Sequence, residues 1–219
     1  DFTYLPSLGQ VLFSTDDTGF NRELWIVDAT PNATKITEIE PAGSSAPSRL
    51  RLVNGNIVFQ AHTVANGLEL WRTDGTELGT QIITDTYTGA HDGLLADQGV
   101  TRGTTFYVFP ANFADAGIEP AVTDGTTITR LGDILPGIGT SWIHDEATST
   151  TAASTPTRTY MGLDDSVHGW ELWQTDGTPA GTTLVTDLLP GVASSQARPI
   201  AVDGETVGKP EVETARARI

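Results

Sequence analysis

A unit centred on Glu-Leu-Trp-x-x-Asp-Gly-Thr recurs four times in this chain, and a sequence that repeats at a near-constant period folds as stacked copies of one supersecondary unit. The plainest copies run from Gly67 to Thr80 and from Gly169 to Thr182. A third, Asn21 to Thr30, keeps the Glu-Leu-Trp but has Ala29 in place of the glycine. A fourth, Gly117 to Thr126, keeps the Asp-Gly-Thr and replaces Leu-Trp by Pro120 and Ala121. The anchoring glutamates, Glu23, Glu69, Glu119 and Glu171, are separated by 46, 50 and 52 residues. Such periods suit a propeller blade of four short strands.

The second unit shows how those strands are spelled. Residues 49–53 alternate polar and apolar, Asn54-Gly55 is a tight hairpin turn, and residues 56–60 follow as a second strand. After a polar loop come residues 69–73, an Asp74-Gly75 turn and residues 81–84, giving strands a to d. Each unit then ends in a turn-rich link such as Leu135-Pro-Gly or Leu189-Pro-Gly, where proline and glycine stop the strand. No segment carries sustained helical periodicity. The expectation is an all-β chain, a β-propeller of four blades with four antiparallel strands each, the alternative being a segment of a larger propeller or a non-closing β-repeat assembly. The domain spans 1–203, with blades near 1–46, 47–91, 92–141 and 142–195, a closing or fifth-blade strand at 196–203, and a tail or linker at 204–219. Thr3–Leu8 and Arg198–Val202 compete for the strand that would close a four-bladed ring.

The repeated residues read as scaffold. Trp25, Trp71 and Trp173, with their neighbouring leucines, suit the wedge between adjacent sheets. The four glutamates suit acceptors for backbone N–H groups that tie one blade to the next. Asp-Gly pairs at 74, 124 and 176 supply the positive φ of a turn. Function is therefore sought where the units differ. Propeller topology puts the b-to-c loops and the d-to-a links at one end and the hairpin turns at the other. The first end carries two aspartate pairs each followed by glycine, Asp16-Asp17 and Asp164-Asp165, oxygen-rich loops of the kind that hold Ca2+ but without EF-hand or nonapeptide spacing. It also carries His91-Asp92 and His144-Asp145-Glu146, an imidazole and carboxylate set for a transition metal at the channel mouth. No nucleophile elbow, zinc-protease motif or phosphate loop is present.

Composition narrows the partners. A formal charge of -16, from 28 acidic against 12 basic residues, opposes nucleic acid and anionic lipid surfaces. No run of about 18 apolar residues could insert in a bilayer. Without cysteine there is neither a disulfide framework nor a thiolate site. The chain begins at Asp1, and Met161 is its only methionine, which reads as a processed or trimmed terminus.

With these motifs in view, the chain resembles the bacterial ELWxxDGT repeat family. Its longer pattern, Gly-x-Glu-Leu-Trp-x-x-Asp-Gly-Thr-x-x-Gly-Thr followed by Asp-x-x-Pro-Gly-x-x-Ser-Ser, is matched closely at 169–195, and the likeness extends from about residue 3 to about residue 203. That resemblance implies a propeller-like fold in a secreted or cell-surface protein and no defined activity. The expected function is a noncatalytic extracellular module that binds a protein, a glycan or another copy through the loop face or a sheet edge. The rival is an extracellular polysaccharide hydrolase or lyase using carboxylates of the funnel.

Overall fold

The computed structural model describes residues 2–17, 19–30, 32–41, 43–94, 99–142 and 152–195, together with positions 197 and 199. Those residues form four four-stranded antiparallel sheets, each a simple meander. The first blade contains β1 (Phe2–Leu5), β2 (Gln10–Asp16), β3 (Arg22–Val27) and β4 (Ala33–Lys35). The second contains β5 (Ser48–Val53), β6 (Asn56–Thr63), β7 (Gly67–Thr73) and β8 (Gln81–Ile82). The third contains β9 (Val100–Arg102), β10 (Phe106–Phe113), β11 (Gly117–Thr123) and β12 (Ile128–Arg130). The fourth contains β13 (Ala152–Ser154), β14 (Thr159–Asp164), β15 (Trp170–Thr175) and β16 (Thr183–Thr186). This is the four-bladed propeller architecture expected from the repeat.

The two middle strands of each blade are the long ones, because their alternation places apolar side chains on both sheet faces. In β6, Ile57 and Phe59 point one way and Val58 the other, and all three are fully buried. The blades consequently stack face to face around three cores. One joins Leu12, Leu24 and Ile36 of the first blade to Ile57, Phe59 and Ala61 of the second. The next joins Val58 and Leu70 to Tyr107, Phe109 and Ala121. The last joins Val108, Val122 and Leu131 to Ala152, Met161 and Leu163. Trp71 and Trp173 pack against the first and last of these cores, filling the space between sheets. Polar stitches run alongside: Thr3 donates to the Leu50 carbonyl at 2.9 Å, and the Arg102 guanidinium donates to the Asp176 carbonyl at 2.8 Å.

Each repeated glutamate lies at the start of its third strand, is fully buried, and holds the chain that leaves the blade. Glu23 accepts from the N–H of Ile39 at 3.1 Å and from both the N–H and the hydroxyl of Ser45, the hydroxyl at 2.7 Å. Glu119 accepts from the N–H groups of Ile134 and Leu135 and from the Ser141 hydroxyl at 2.7 Å. Glu171 accepts from the N–H groups of Leu188 and Ser195, both at 3.1 Å. The carboxylate thus replaces water for backbone donors that a link cannot pair in a ladder. Two residues earlier, Gly67, Gly117 and Gly169 have φ near +70° (68, 71 and 68). A Cβ on Gly117 would sit 2.0 Å from the carbonyl oxygen of Gly139, so the link crosses where no side chain fits.

One detail departs from the sequence reading. The last strand of the second blade stops at Ile82 instead of running to residue 84, although the Ile83 N–H still reaches the Leu70 carbonyl at 2.9 Å. The proposed closing strand at 196–203 lies, apart from positions 197 and 199, outside the described residues. All three cores among the described residues join consecutive blades, and none joins the fourth to the first.

Candidate functional site

The Asp-Gly-Thr turns consume their own polar groups. Asp74 accepts from the Thr76 N–H at 2.9 Å and its hydroxyl at 2.7 Å, and Asp176 does the same with Thr178. Gly75, Gly125 and Gly177 carry φ of +92°, +88° and +95°. The bonds from Thr76 and Thr178 hold the Asp74 and Asp176 carboxyls below the usual range. In the first blade Asp28 caps Thr30 in the same way, so the alanine at 29 alters the glycine and leaves the cap. A side chain already accepting from its own loop is scaffold.

At the opposite end lie the b-to-c loops and the links. Here the aspartate pairs are taken up individually. Asp16 forms an ion pair with Arg22 at 3.0 Å, and this hydrogen bond pulls the Asp16 carboxyl down. Asp17 pairs instead with Lys35 at 2.8 Å, and Lys35 also holds Glu38. Asp164 accepts from the Ser166 N–H at 2.7 Å. Asp165 accepts from the N–H groups of Val167 and His168 and meets the His168 Nδ1 at 2.7 Å. Burial pushes the Asp165 carboxyl up, but the His168 bonds outweigh it and hold it low; the same hydrogen bond raises the imidazole. His91 stacks on Tyr87 with ring centroids 4.6 Å apart, and Asp92 accepts from the Leu68 N–H at 2.8 Å. His144 and Asp145 lie outside the described residues. Among the described residues no three His, Cys, Asp or Glu side chains converge as a metal site would require.

This end also presents apolar side chains. Phe20 is 89% exposed, and Val64 and Val167 are exposed at the tips of two further b-to-c loops. Ile138 and Val192 are exposed in the links after the third and fourth blades, beside Leu188 and Leu189. The hairpin end offers Leu8 and Leu78. Sequence reasoning ranked the polar loop residues and passed over these apolar tips, although a phenylalanine or isoleucine inside a Gly- and Asp-rich loop is itself a signal. It also missed Trp142, which is buried in the core between the third and fourth blades. That residue stands in a link, outside the repeated motif. Among the described residues no helix is long and apolar enough to cross a membrane.

No family model matches the chain, and no curated protein matches it. Solved structures do. Puromycin hydrolase superposes with a TM-score of 0.52 at 10% identity, covering 88% of this chain and 29% of that one. A mutant of that hydrolase complexed with PGG gives 0.50 at 10% identity, covering 92% of this chain and 31% of that one. TolB from Acinetobacter baumannii gives 0.41 at 14% identity, covering 84% of this chain and 42% of that one. At this identity the likeness to the hydrolase shows a shared propeller fold. The chain spans under a third of the hydrolase.

Proposed function

We propose that this chain is a noncatalytic binding module of an extracellular or cell-surface protein, and that its loop end takes up a protein partner. The observation that carries the reading is the set of exposed apolar side chains at that end, Phe20, Val64, Val167, Ile138 and Val192 at loop and link tips, against Leu8 and Leu78 at the hairpin end. Exposed apolar residues gathered at one end mark interaction surfaces, whereas singly scattered ones do not. The acidic balance of the chain favours a partner that combines basic and apolar groups. The extracellular setting follows the resemblance to ELWxxDGT repeat proteins. The noncatalytic reading is supported by the repeated acids, since Glu23, Glu119, Glu171 and the turn aspartates are engaged by backbone, serine or threonine donors and are not presented to a substrate.

The test compares the labelled chain with a Phe20→Ser, Val64→Ser, Val167→Ser triple variant on panels of cell-surface proteins and extracellular polysaccharides. Binding to a protein that weakens at least about tenfold in the variant is the expected result. Binding to no panel member, or binding that the variant retains, overturns the proposal. Release of oligosaccharide in the same incubations would establish the hydrolase or lyase alternative instead.

A further inference from the structure

The three seams between consecutive blades share an apolar core, but at the hairpin end the third differs from the other two. There the a-to-b turn of one blade approaches the Asp-Gly turn of the next. In the first seam Leu5 and Leu8 lie against Gly75, and a Cβ on that glycine would come 2.6 Å from the Leu8 side chain. In the second, a Cβ on Gly125 would come 2.7 Å from the Val53 carbonyl oxygen, and the Asn54 N–H donates to the Thr104 carbonyl. In the third, the nearest atom to a Cβ on Gly177 is Nη2 of Arg102, at 3.7 Å. One side chain bridges this seam where leucines or backbone close the others. An open cleft of about 370 Å³ remains, lined by Thr101, Arg102 and Thr105 of the third blade and by Ser154, Thr155 and Pro156 of the fourth.

The polar groups around the cleft suit an anion. Arg102 Nη1 donates to the carbonyls of Asp176 at 2.8 Å and Thr157 at 3.3 Å, and the guanidinium lies 4.7 Å from the centre of the Phe106 ring. These contacts fix the plane of the fork, and among the described residues nothing accepts from its Nε or Nη2. Arg158 Nη1 donates to the same Thr157 carbonyl at 3.2 Å, so two guanidinium groups share one neutral oxygen. The carboxylate beside them belongs to Asp176; one of its oxygens is 3.8 Å from Arg158, and the other accepts from Thr178. Two cations thus face one loosely held anion, in a chain whose net charge is -16. Ser154 and Thr155 are held by Thr159 and Arg158, whereas the hydroxyls of Thr101 and Thr105 have no protein partner among the described residues.

We propose that this cleft binds a small sugar acid, a free polyhydroxy carboxylate of the size of a hexuronate. The planar carboxylate matches the open edge of the Arg102 fork, which can donate two parallel bonds to it. Arg158 adds a second positive charge nearby, and the hydroxyls of Thr101 and Thr105 meet hydroxyls of the ligand. A neutral sugar would leave the paired guanidinium groups without an anion, and sulfate would leave the threonines without a partner. Because the cleft is open and polar, the affinity is modest, about 1 mM. The cleft lies at the hairpin end, so it stands or falls independently of the loop-end reading.

Ligand-observed NMR titration of the full chain with glucuronate, up to about 50 mM, tests it, with glucose and sodium sulfate as the other arms. The expected result is saturable binding of glucuronate, none of glucose, and binding of sulfate at least about tenfold weaker. Arg102→Gln should weaken glucuronate at least about tenfold. Thr105→Trp fills the cleft from an exposed turn and leaves the carbonyl bonds of Arg102 in place, so it should abolish binding even if Arg102→Gln proves too unstable to assay. Leu78→Ser, exposed at the hairpin end and outside the cleft, should change nothing. No saturation by about 50 mM overturns the proposal, as does glucose or sulfate binding as tightly as glucuronate, or glucuronate binding that Thr105→Trp retains.

Discussion

Glu69 is the least well held of the four repeated glutamates, and this sets a measurable pH dependence. In the other blades a link serine donates to the carboxylate: Ser45, Ser141 and Ser195. At the matching point of the second blade stands Gly93, whose Cα lies so close that a Cβ would come within 2.1 Å of the Glu69 Oε1. Thr86 donates its hydroxyl to Oε2 at 3.3 Å, and Oε1 is buried without a hydrogen-bond partner. Burial, which the weaker bonds from Thr86 and Tyr87 offset only in part, and the charge of Asp85 push the carboxyl up to about 7. An exposed glutamate in the unfolded chain titrates near 4.5. Between those values the folded protein holds a proton that the unfolded chain has released, so stability rises as pH falls and is lost as pH rises through 7. Integrating from pH 8 to pH 5 gives a gain of about 2.5 kcal/mol from this one group. Glu69→Gln keeps the shape and removes the titration. Urea unfolding of both proteins at pH 5, 6, 7 and 8 should give profiles whose difference changes by about 2.5 kcal/mol over that range. Glu119, raised by burial, and His168, raised by Asp165, slope the same way but cancel in the difference. Parallel profiles, differing by less than about 0.5 kcal/mol between the extremes, would refute the reasoning.

Other consequences are as direct. Phe59→Ala should cost about 3–5 kcal/mol and Phe13→Ala about half of that, because the first side chain is fully covered and its counterpart in the first blade is half-buried; equal costs in denaturant titration would contradict that difference in burial. Gly117→Ala should destabilise by more than about 2 kcal/mol, since the new Cβ meets a backbone carbonyl at a φ of +71°, whereas Gly55→Ala, at +86° with open space around it, should cost about 1 kcal/mol. Millimolar Ca2+ should move the melting temperature by less than about 1 °C, because Asp16, Asp17 and Asp165 are already engaged by Arg22, Lys35 and His168; a larger, saturable rise that Asp164→Asn abolishes would restore the calcium reading.

Much of the fold was legible because the same physical problem is solved four times. A buried glutamate three residues past a loop, a tryptophan two residues on and an Asp-Gly turn are each interpretable alone; their recurrence near every 50 residues fixes the blade. What escaped depends on neighbours in space. Nothing in the residues around Phe13 distinguishes it from Phe59, since the difference is how much of each ring the fold covers. Gly93 carries no signal of its own in the sequence, and its meaning comes from the serine that occupies the same point in other blades. The aspartate pairs were read as free oxygen donors because Arg22 and Lys35, which claim them, stand 6 and 18 residues away.

The glutamate and the serine it holds in the first, third and fourth blades have one further consequence. Both partners belong to the same repeat, the acid at its third strand and the donor at its exit, so each of these joints is made from a single unit's own residues. A blade carrying that pair brings its own coupling, and its position in the row does not matter to the bond. Excising residues from one link serine to the next, Ser45 to Ser141 for instance, would therefore remove blades while leaving intact couplings on both sides of the cut. The number of blades is then free to vary by whole units, and the apolar faces alone have to adjust to the new neighbour.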